Sequence, residues 1–355
     1  MRLTPEEVEV IYEFRGETLD NVNSNTALDL HLKERGINKK DVVSVKHWQN
    51  MSGELRFSIV TKENLEDNYK SFFDKIKLLI ESYSPSYPAI VREDGEHLLV
   101  INPADIHIGK LAVEIETKDE YNTNIACKRV INGIVGIIQK AQGFSINKIL
   151  FCIGNDVLHI DNVYNTTTAG TPQDANGKWW QHFEIALELY VRCVELLRTI
   201  AKVDIIHCMS NHDYQSGFHL AHALKSWFRN TEDVKFDISV NHRKYYKYGK
   251  NLIGLEHGDG AKMDNLPLLM AQEKPKEWAV TNYRYWYLHH IHHKVKHKWR
   301  DAKDFIGVTV EYLRSPSGTD SWHNRKGFTG VPKAVEGFIH HKENGQIARL
   351  VHYFK

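Results

Sequence analysis

Five short blocks rich in histidine and aspartate run along this chain. They are Asp105-Ile106-His107, Gly154-Asn155-Asp156, Asn211-His212-Asp213, Glu256-His257-Gly258-Asp259 and His290-Ile291-His292. Each follows a short apolar run: LLVINPA, ILFCI, VDIIHCM, NLIGL and YRYWYL in turn. That pattern predicts strand ends which deliver Asp, His and Asn to one edge of a sheet. Together the blocks offer seven ligands suited to two divalent metal ions, with His212 and Asp213 to spare. Paired metal ions of this kind hydrolyse phosphate esters.

The spacing within each block carries the chemistry. Asp105 and His107 stand at i and i+2, which face the same side of an extended chain. One carboxylate oxygen and one imidazole nitrogen can then hold the same ion. Asp156 has two oxygens and can bridge two cations, which a histidine cannot. Asn211 offers a neutral, hard carbonyl ligand. His212 projects elsewhere, toward a substrate, and Asp213 is placed to hold it in one tautomer. His257 ends a strand and precedes Gly258; His290 and His292 repeat the i, i+2 spacing. Taken singly, each block also reads as a turn after a strand, and Asn211 or Asp213 as a helix N-cap. The ordered set favours the metal site.

The elements that must position these residues follow from periodicity. Residues 1–83 read as a small α/β domain with helices from Pro5 through Phe14, over Thr26 to Arg35, and over about 63–82. VVSVKHW and LRFSIVT flank Met51-Ser52-Gly53 as a hairpin. The order helix, helix, hairpin, helix is loosely like a winged helix. Residues 84–95 read as a linker, broken by two prolines. From 96 to 355 strands and helices alternate, with helices expected at 122–141, 178–201 and 217–229, and short strands dominating beyond 233. The fold class is therefore α/β.

Composition excludes several classes. The 355 residues carry a net charge of +1, but residues 1–94 hold 13 Lys/Arg against 17 Asp/Glu, a balance of −4. A polyanion is accordingly expected on the C-terminal part. Cys127, Cys152, Cys193 and Cys208 form no CxxC pair and read as buried reduced thiols. MRLTPEEVEV does not read as a signal peptide, and no apolar run approaches 18 residues, so no membrane span is expected. A cytoplasmic protein is the expectation. No P-loop or GxGxxG stands between a strand and a helix, so no cofactor beyond metal is indicated.

These motifs resemble those of the calcineurin-like metallophosphoesterase superfamily, whose pattern is D-x-H, G-D, G-N-H-D/E, a lone H, then G-H-x-H. The resemblance covers about residues 97–355. It implies a four-layer α-β-β-α sandwich with the metals at one edge of the paired sheets. It also implies a ligand set. Asp105, His107, Asp156 and His292 would bind one metal, and Asp156, Asn211, His257 and His290 the other. His212 would protonate the leaving oxygen or stabilise the transition state, with Asp213 as its orienter and a metal-bridging hydroxide as nucleophile. Mn²⁺ is the expected ion, with Fe, Zn and Mg as alternatives. Three positions depart from the pattern. Asn155 precedes Asp156 in the second block, and Ser210 and His289 stand where the family has Gly. Gly tolerates positive φ and Ser or His tolerates it poorly, so altered backbone freedom is expected there. Two further stretches, GNDVLHIDNVYNTTTAGTPQD and LRSPSGTDSWHNRKGF, resemble a phage and mobile-element subgroup related to DNA repair nucleases, which would act in the host cytoplasm.

Substrate clues point the same way. RKYYKYGK (243–250) and KVKHKWR (294–300) interleave basic and aromatic residues, as nucleic-acid surfaces do. Both also read as ordinary strand or turn surfaces. Candidate substrate contacts are His159, Arg243, Lys244, Lys294, His323, Asn324 and Arg325, and the polar loop 162–177 is expected over the site. The leading reading is a two-metal phosphodiesterase, a nuclease acting on DNA. Alternatives are a phosphoesterase for nucleotides or small esters, a phosphoprotein phosphatase, and a catalytically silent metal-binding scaffold. The acidic N-terminal domain reads as a protein-contact or oligomerisation module.

Overall fold

The computed structural model describes residues 12–13, 25–49, 55–62, 87, 90, 94–291, 302–327 and 329–354. They belong to two compact units, Met1–Ser84 and Pro85–Lys355. The chain is mixed α/β, and among the described residues no helix is long and apolar enough to cross a membrane.

In the first unit, β1 (Tyr12–Glu13), β2 (Val42–Gln49) and β3 (Leu55–Thr61) form an antiparallel sheet in that order. Helix α1 (Asn25–Glu34) buries Leu28 and Leu32, four residues apart on one face. The expected helix through Phe14 is corrected at Tyr12 and Glu13, which pair with His47 and Lys46. The strand edge of β2 supplies hydrogen-bond partners, and a short helix is marginal without a packed face. The hairpin turn at 51–53 and the expected helix over 63–82 lie outside the described residues. With β1 where a helix was expected, the described part does not follow the winged-helix order.

The second unit holds two sheets. The six-stranded sheet has β4 (His97–Asn102), β5 (Ile146–Gly154), β6 (Lys202–Cys208) and β7 (Val234–Asp237) parallel and adjacent in that order. The five-stranded sheet has the order β11-β12-β10-β9-β8. There β9 (Asn251–Leu255), β10 (Tyr283–Leu288) and β12 (Val308–Tyr312) are parallel, while β8 (Lys244–Tyr248) and β11 (Ala302–Phe305) run antiparallel at its edges. Antiparallel β13 (Lys333–His341) and β14 (Gly345–Phe354) complete the first sheet.

Alternation along the strands sorts side chains into apolar layers. Leu99 and Ile101 of β4, with Ile149, Phe151 and Ile153 of β5, pack on helices Thr123–Lys140 (α2) and Trp179–Arg198 (α3). Their alternates Leu98, Val100, Leu150 and Cys152 meet Ile253, Leu255 and Tyr287 of the other sheet. Leu252, Trp286 and Leu288 face outward from that sheet onto Leu266 and Met270. Leu266 and Met270 belong to α4 (Leu266–Glu273), which with α5 (Pro275–Val280) interrupts a stretch read as strand-rich. Each of these helices starts with proline in its first turn, where the missing N–H costs nothing.

The five blocks follow the carboxyl ends of β4, β5, β6, β9 and β10, all parallel strands. Carboxyl ends of parallel strands are where such sheets place ligands. Within the expected linker, Tyr87 donates its hydroxyl to Glu195 at 2.7 Å and accepts from Trp227 Nε1 at 3.0 Å.

Candidate metal centre

The loops after β4 and β5 hold an unusual backbone. Among the described residues, seven non-glycine positions have positive φ, and five are Asp105, His107, Asn155, Asp156 and His290. Such a conformation costs roughly 1–3 kcal/mol per residue unless its surroundings impose it. Here they do. Asp105 N–H donates to Asn155 O at 2.7 Å, His107 N–H to Asp156 O at 2.9 Å, and Asn155 N–H to Cys208 O at 3.1 Å. Gly154, at φ 82°, lies so close to β6 that a Cβ would meet Cys208 O at 2.1 Å. The three strand ends are thus zipped together, and their side chains turn toward one point.

At that point the ligand atoms converge. Asp156 Oδ2 lies 3.1 Å from His257 Nε2. The same nitrogen is 3.0 Å from Asn211 Oδ1 and 3.2 Å from His290 Nδ1. A divalent ion with bonds of about 2.0–2.2 Å separates its ligands by roughly 3 Å, so this donor set fits one ion. A second set, Asp105, His107 and Asp156, also has donor atoms within 4.8 Å of one another. Asp156 belongs to both sets. Its Oδ1 accepts the His212 backbone N–H at 2.9 Å, which fixes the carboxylate plane. His292, expected to complete the second set, lies outside the described residues.

Electrostatics agree with a cation site. Asp105, Asp156 and Asp213 are all buried. Burial pushes the Asp105 carboxyl up to about 7, with Asp156 adding to the rise and His257 opposing it. Burial also raises Asp156, but His257 and His212 outweigh it and hold that carboxyl well below the usual range. Burial lowers His257, yet Asp156 and Asp105 win and lift it to about 9. The protonated form of His257 and the charged forms of Asp156 and Asp105 therefore favour one another. Metal binding would release that proton, because a ligating imidazole must be neutral.

His212 sits at the rim of this set. Its Nδ1 donates to the backbone carbonyl of His159 at 2.9 Å. Asp213 does not touch the ring, which corrects its expected role as orienter. Instead Asp213 Oδ1 accepts from Ser210 Oγ at 2.6 Å, and Oδ2 accepts from Leu158 N at 2.9 Å. Ser210 Oγ in turn accepts the Asp156 N–H at 2.7 Å. The reason is burial: Asp213 points inward, and the buried amides and hydroxyl around it must be satisfied. Burial first, then the Asp156 charge, push the Asp213 carboxyl up to about 7. At Ser210 and His289, where altered backbone freedom was expected, glycine's freedom is not needed. Neither has positive φ; the left-handed residue is His290. Ser210 does what glycine cannot, by joining Asp156 to Asp213.

A cavity of about 480 Å³ opens on the centre. His107, His159, Asn211, His212 and His290 line its inner side. The loop 162–177 contributes Thr167, Ala169, Thr171, Pro172, Gln173 and Asp174, so it does border the site. His159 and His323 line the cavity. His159 is buried, stacks on the His212 ring at 5.4 Å, and has its Nδ1 3.4 Å from His107 Nδ1. Burial and the His212 charge hold it well below the usual histidine range.

Four expected substrate contacts are corrected. Arg243 donates to both Glu273 oxygens, at 2.9 and 3.1 Å. Lys244 is 2% exposed, and its ammonium turns inward to Asp237 and Ser239. Alternation placed Lys244 on the inward face of β8, where a buried charge must find partners. Tyr245 and Tyr246 of the same strand spend their hydroxyls on Glu273 and Asp204. Asn324 Nδ2 donates to the Thr117 carbonyl at 3.0 Å, a structural bond. Arg325 is exposed on the short helix Ser321–Arg325 and is not among the cavity residues. Lys294 lies outside the described residues.

Two cavity residues escaped the sequence reading. Lys110 is 1% exposed, and its ammonium bonds Asp320 at 2.8 Å and Ser317 Oγ at 3.1 Å. Burial lowers the Lys110 pKa against the pull of Asp320. A single lysine three residues after His107, inside the apolar run IGKLAV, was the available signal. No family model matches this chain, and no curated protein matches it.

Proposed function

We propose that this chain is a metal-dependent phosphodiesterase of the calcineurin-like metallophosphoesterase type, a nuclease with DNA as its substrate. One observation carries the reading: Asp156 belongs at once to the donor sets Asp105/His107/Asp156 and Asp156/His257/His290. A carboxylate shared by two donor sets is what a two-metal hydrolase requires. The sorting of apolar side chains onto both faces of both sheets supports the finer reading of an α-β-β-α sandwich.

Asp105, His107, Asp156 and His292 would hold one divalent ion and Asp156, Asn211, His257 and His290 the other. Bound there, the ions, Mn²⁺ first, would supply Lewis acidity toward the phosphoryl oxygens and a water acidic enough to react at neutral pH. The protein's own residues do the rest. The His159 carbonyl takes the Nδ1 proton of His212, which leaves Nε2 for the substrate. With Nε2 also carrying a proton, as the imidazolium, His212 would hand that proton to the leaving oxygen, a contribution typically worth ~10²–10⁴-fold. Ser210 and Asp213 act as positioning residues that hold the Asp156 loop. Loop 162–177 borders the cavity. The first unit is read as a protein-contact or oligomerisation module, since a balance of −4 over residues 1–94 disfavours nonspecific DNA binding.

The test is cleavage with Mn²⁺ of linear and circular, single- and double-stranded DNA, beside an Asp156→Ala control. Products with the wild type alone establish the nuclease. Intact DNA in every lane overturns it.

A further inference from the structure

Part of the cavity wall is made of residues other than the proposed metal ligands, and its chemistry differs. Its charged lining residues there are Lys110, Asp174 and Asp320. The Lys110 ammonium is already met by Asp320 at 2.8 Å, and Asp320 also accepts from His323 Nδ1 at 2.6 Å. A phosphate entering this part would face two carboxylates and one lysine whose charge is already balanced. It is therefore a poor place for a second anion. An ammonium has three donors, and Lys110 spends two, on Asp320 and Ser317. The remaining polar lining there is Thr167, Thr171, Gln173 and Ser321, with His323 held on Asp320. Leu111 and Pro172 add apolar surface.

The wall is rigid. Ser315 Oγ donates to the Asp105 carbonyl at 2.8 Å, and the Ser317 N–H donates to Ser315 Oγ at 2.9 Å. The segment from Ser315 to His323 thus spans from the metal ligand Asp105 to Lys110. On the other side, Lys110 bridges Ala175 of the 162–177 loop. A volume of about 480 Å³ falls in the range of single small-molecule sites, about 300–1,000 Å³. Apolar surface with a few fixed neutral donors and acceptors matches a base and a sugar. It does not match a run of phosphates.

We propose that this part of the cavity, bounded by Lys110, Asp320, Thr171 and Gln173, seats the nucleoside attached to the reacting phosphate. The inference rests on the phosphodiesterase reading and narrows its substrate to a terminal or unpaired nucleotide unit. A paired base reaches such a cavity only after leaving its stack, at a cost of a few kcal/mol.

The experiment is calorimetric binding to Mn²⁺-loaded full-length protein of thymidine 5′-monophosphate, phenyl phosphate and inorganic phosphate. The nucleotide should bind at least tenfold tighter than either control. Equal affinity for nucleotide and phosphate overturns the proposal, and so does equal affinity for nucleotide and phenyl phosphate. Lys110→Met should shrink the gap about tenfold. If that variant does not fold, Gln173→Ala on the loop should shrink it severalfold; a gap unchanged by the folded variant overturns the assignment. A preserved gap without DNA cleavage would keep the nucleoside site and sink the nuclease. Cleavage without a gap would do the reverse.

Discussion

The backbone carbonyl of His159 accepts the Nδ1 proton of His212 at 2.9 Å. A carbonyl can only accept, so the tautomer follows from the bond. Nε2 of His212 is left to meet a substrate, and Asp213 is free to hold the loops. His212→Gln should therefore lower kcat by roughly 10²–10⁴-fold with no change in bound metal. Initial rates and elemental analysis on the same preparation check this. A variant that loses metal with its activity would move His212 into the ligand set.

Ser210 joins two amide-bearing loops through one hydroxyl. It accepts from Asp156 N and donates to Asp213 Oδ1. Ser210→Ala leaves the buried Asp156 amide without its partner and the Asp213 carboxylate with only its Leu158 bond, at a cost of about 1–3 kcal/mol. With Asp156 as the proposed shared ligand, metal affinity should also fall, by about 10–100-fold for a lost outer partner. Urea unfolding and a competitive chelator titration measure the two effects. Unchanged metal affinity in Ser210→Ala would show that the loop holds without its hydroxyl.

How much of this was legible beforehand depended on the kind of signal. Strand ends were legible because alternation and apolar runs report burial directly: Leu98 to Ile101 are buried on both faces. The residues that converge were legible because Asp, His and Asn sit immediately after those ends. Their partners were not. Nothing in Asn211-His212-Asp213 says that Asp213 turns inward, since that depends on the buried Leu158 amide 55 residues away. Lys244 looked like a free cation because sequence shows residue type and not facing. Its strand buries that position and gives it Asp237 and Ser239. Lys110 and Asp320 were invisible as a pair, lying far apart in the chain and joined at 2.8 Å.

Acid should weaken the fold through its buried histidines. His340 bonds Tyr287 Oη through Nε2 at 2.9 Å, and burial drops its pKa to about 3. The folded value lies below the unfolded one of about 6.5. The unfolded chain therefore takes up the proton first. Stability is fully present above about pH 6.5 and is lost as pH falls toward 3. Between pH 7.5 and 5.0 one such histidine costs about 2 kcal/mol. His340→Gln should remove that share of the decline, read from urea midpoints at the two pH values. An equally steep decline in the variant would show that His340 does not titrate this way.

The central claim is that Asp156 is the ligand common to two ions. The most direct test is the metal content of the full-length protein reconstituted with Mn²⁺, for the wild type and for Asp156→Ala. The account predicts two ions per chain in the wild type and a loss from both positions in the variant, with the fold intact by circular dichroism. A wild type that binds a single ion, or a variant that keeps both, would contradict it.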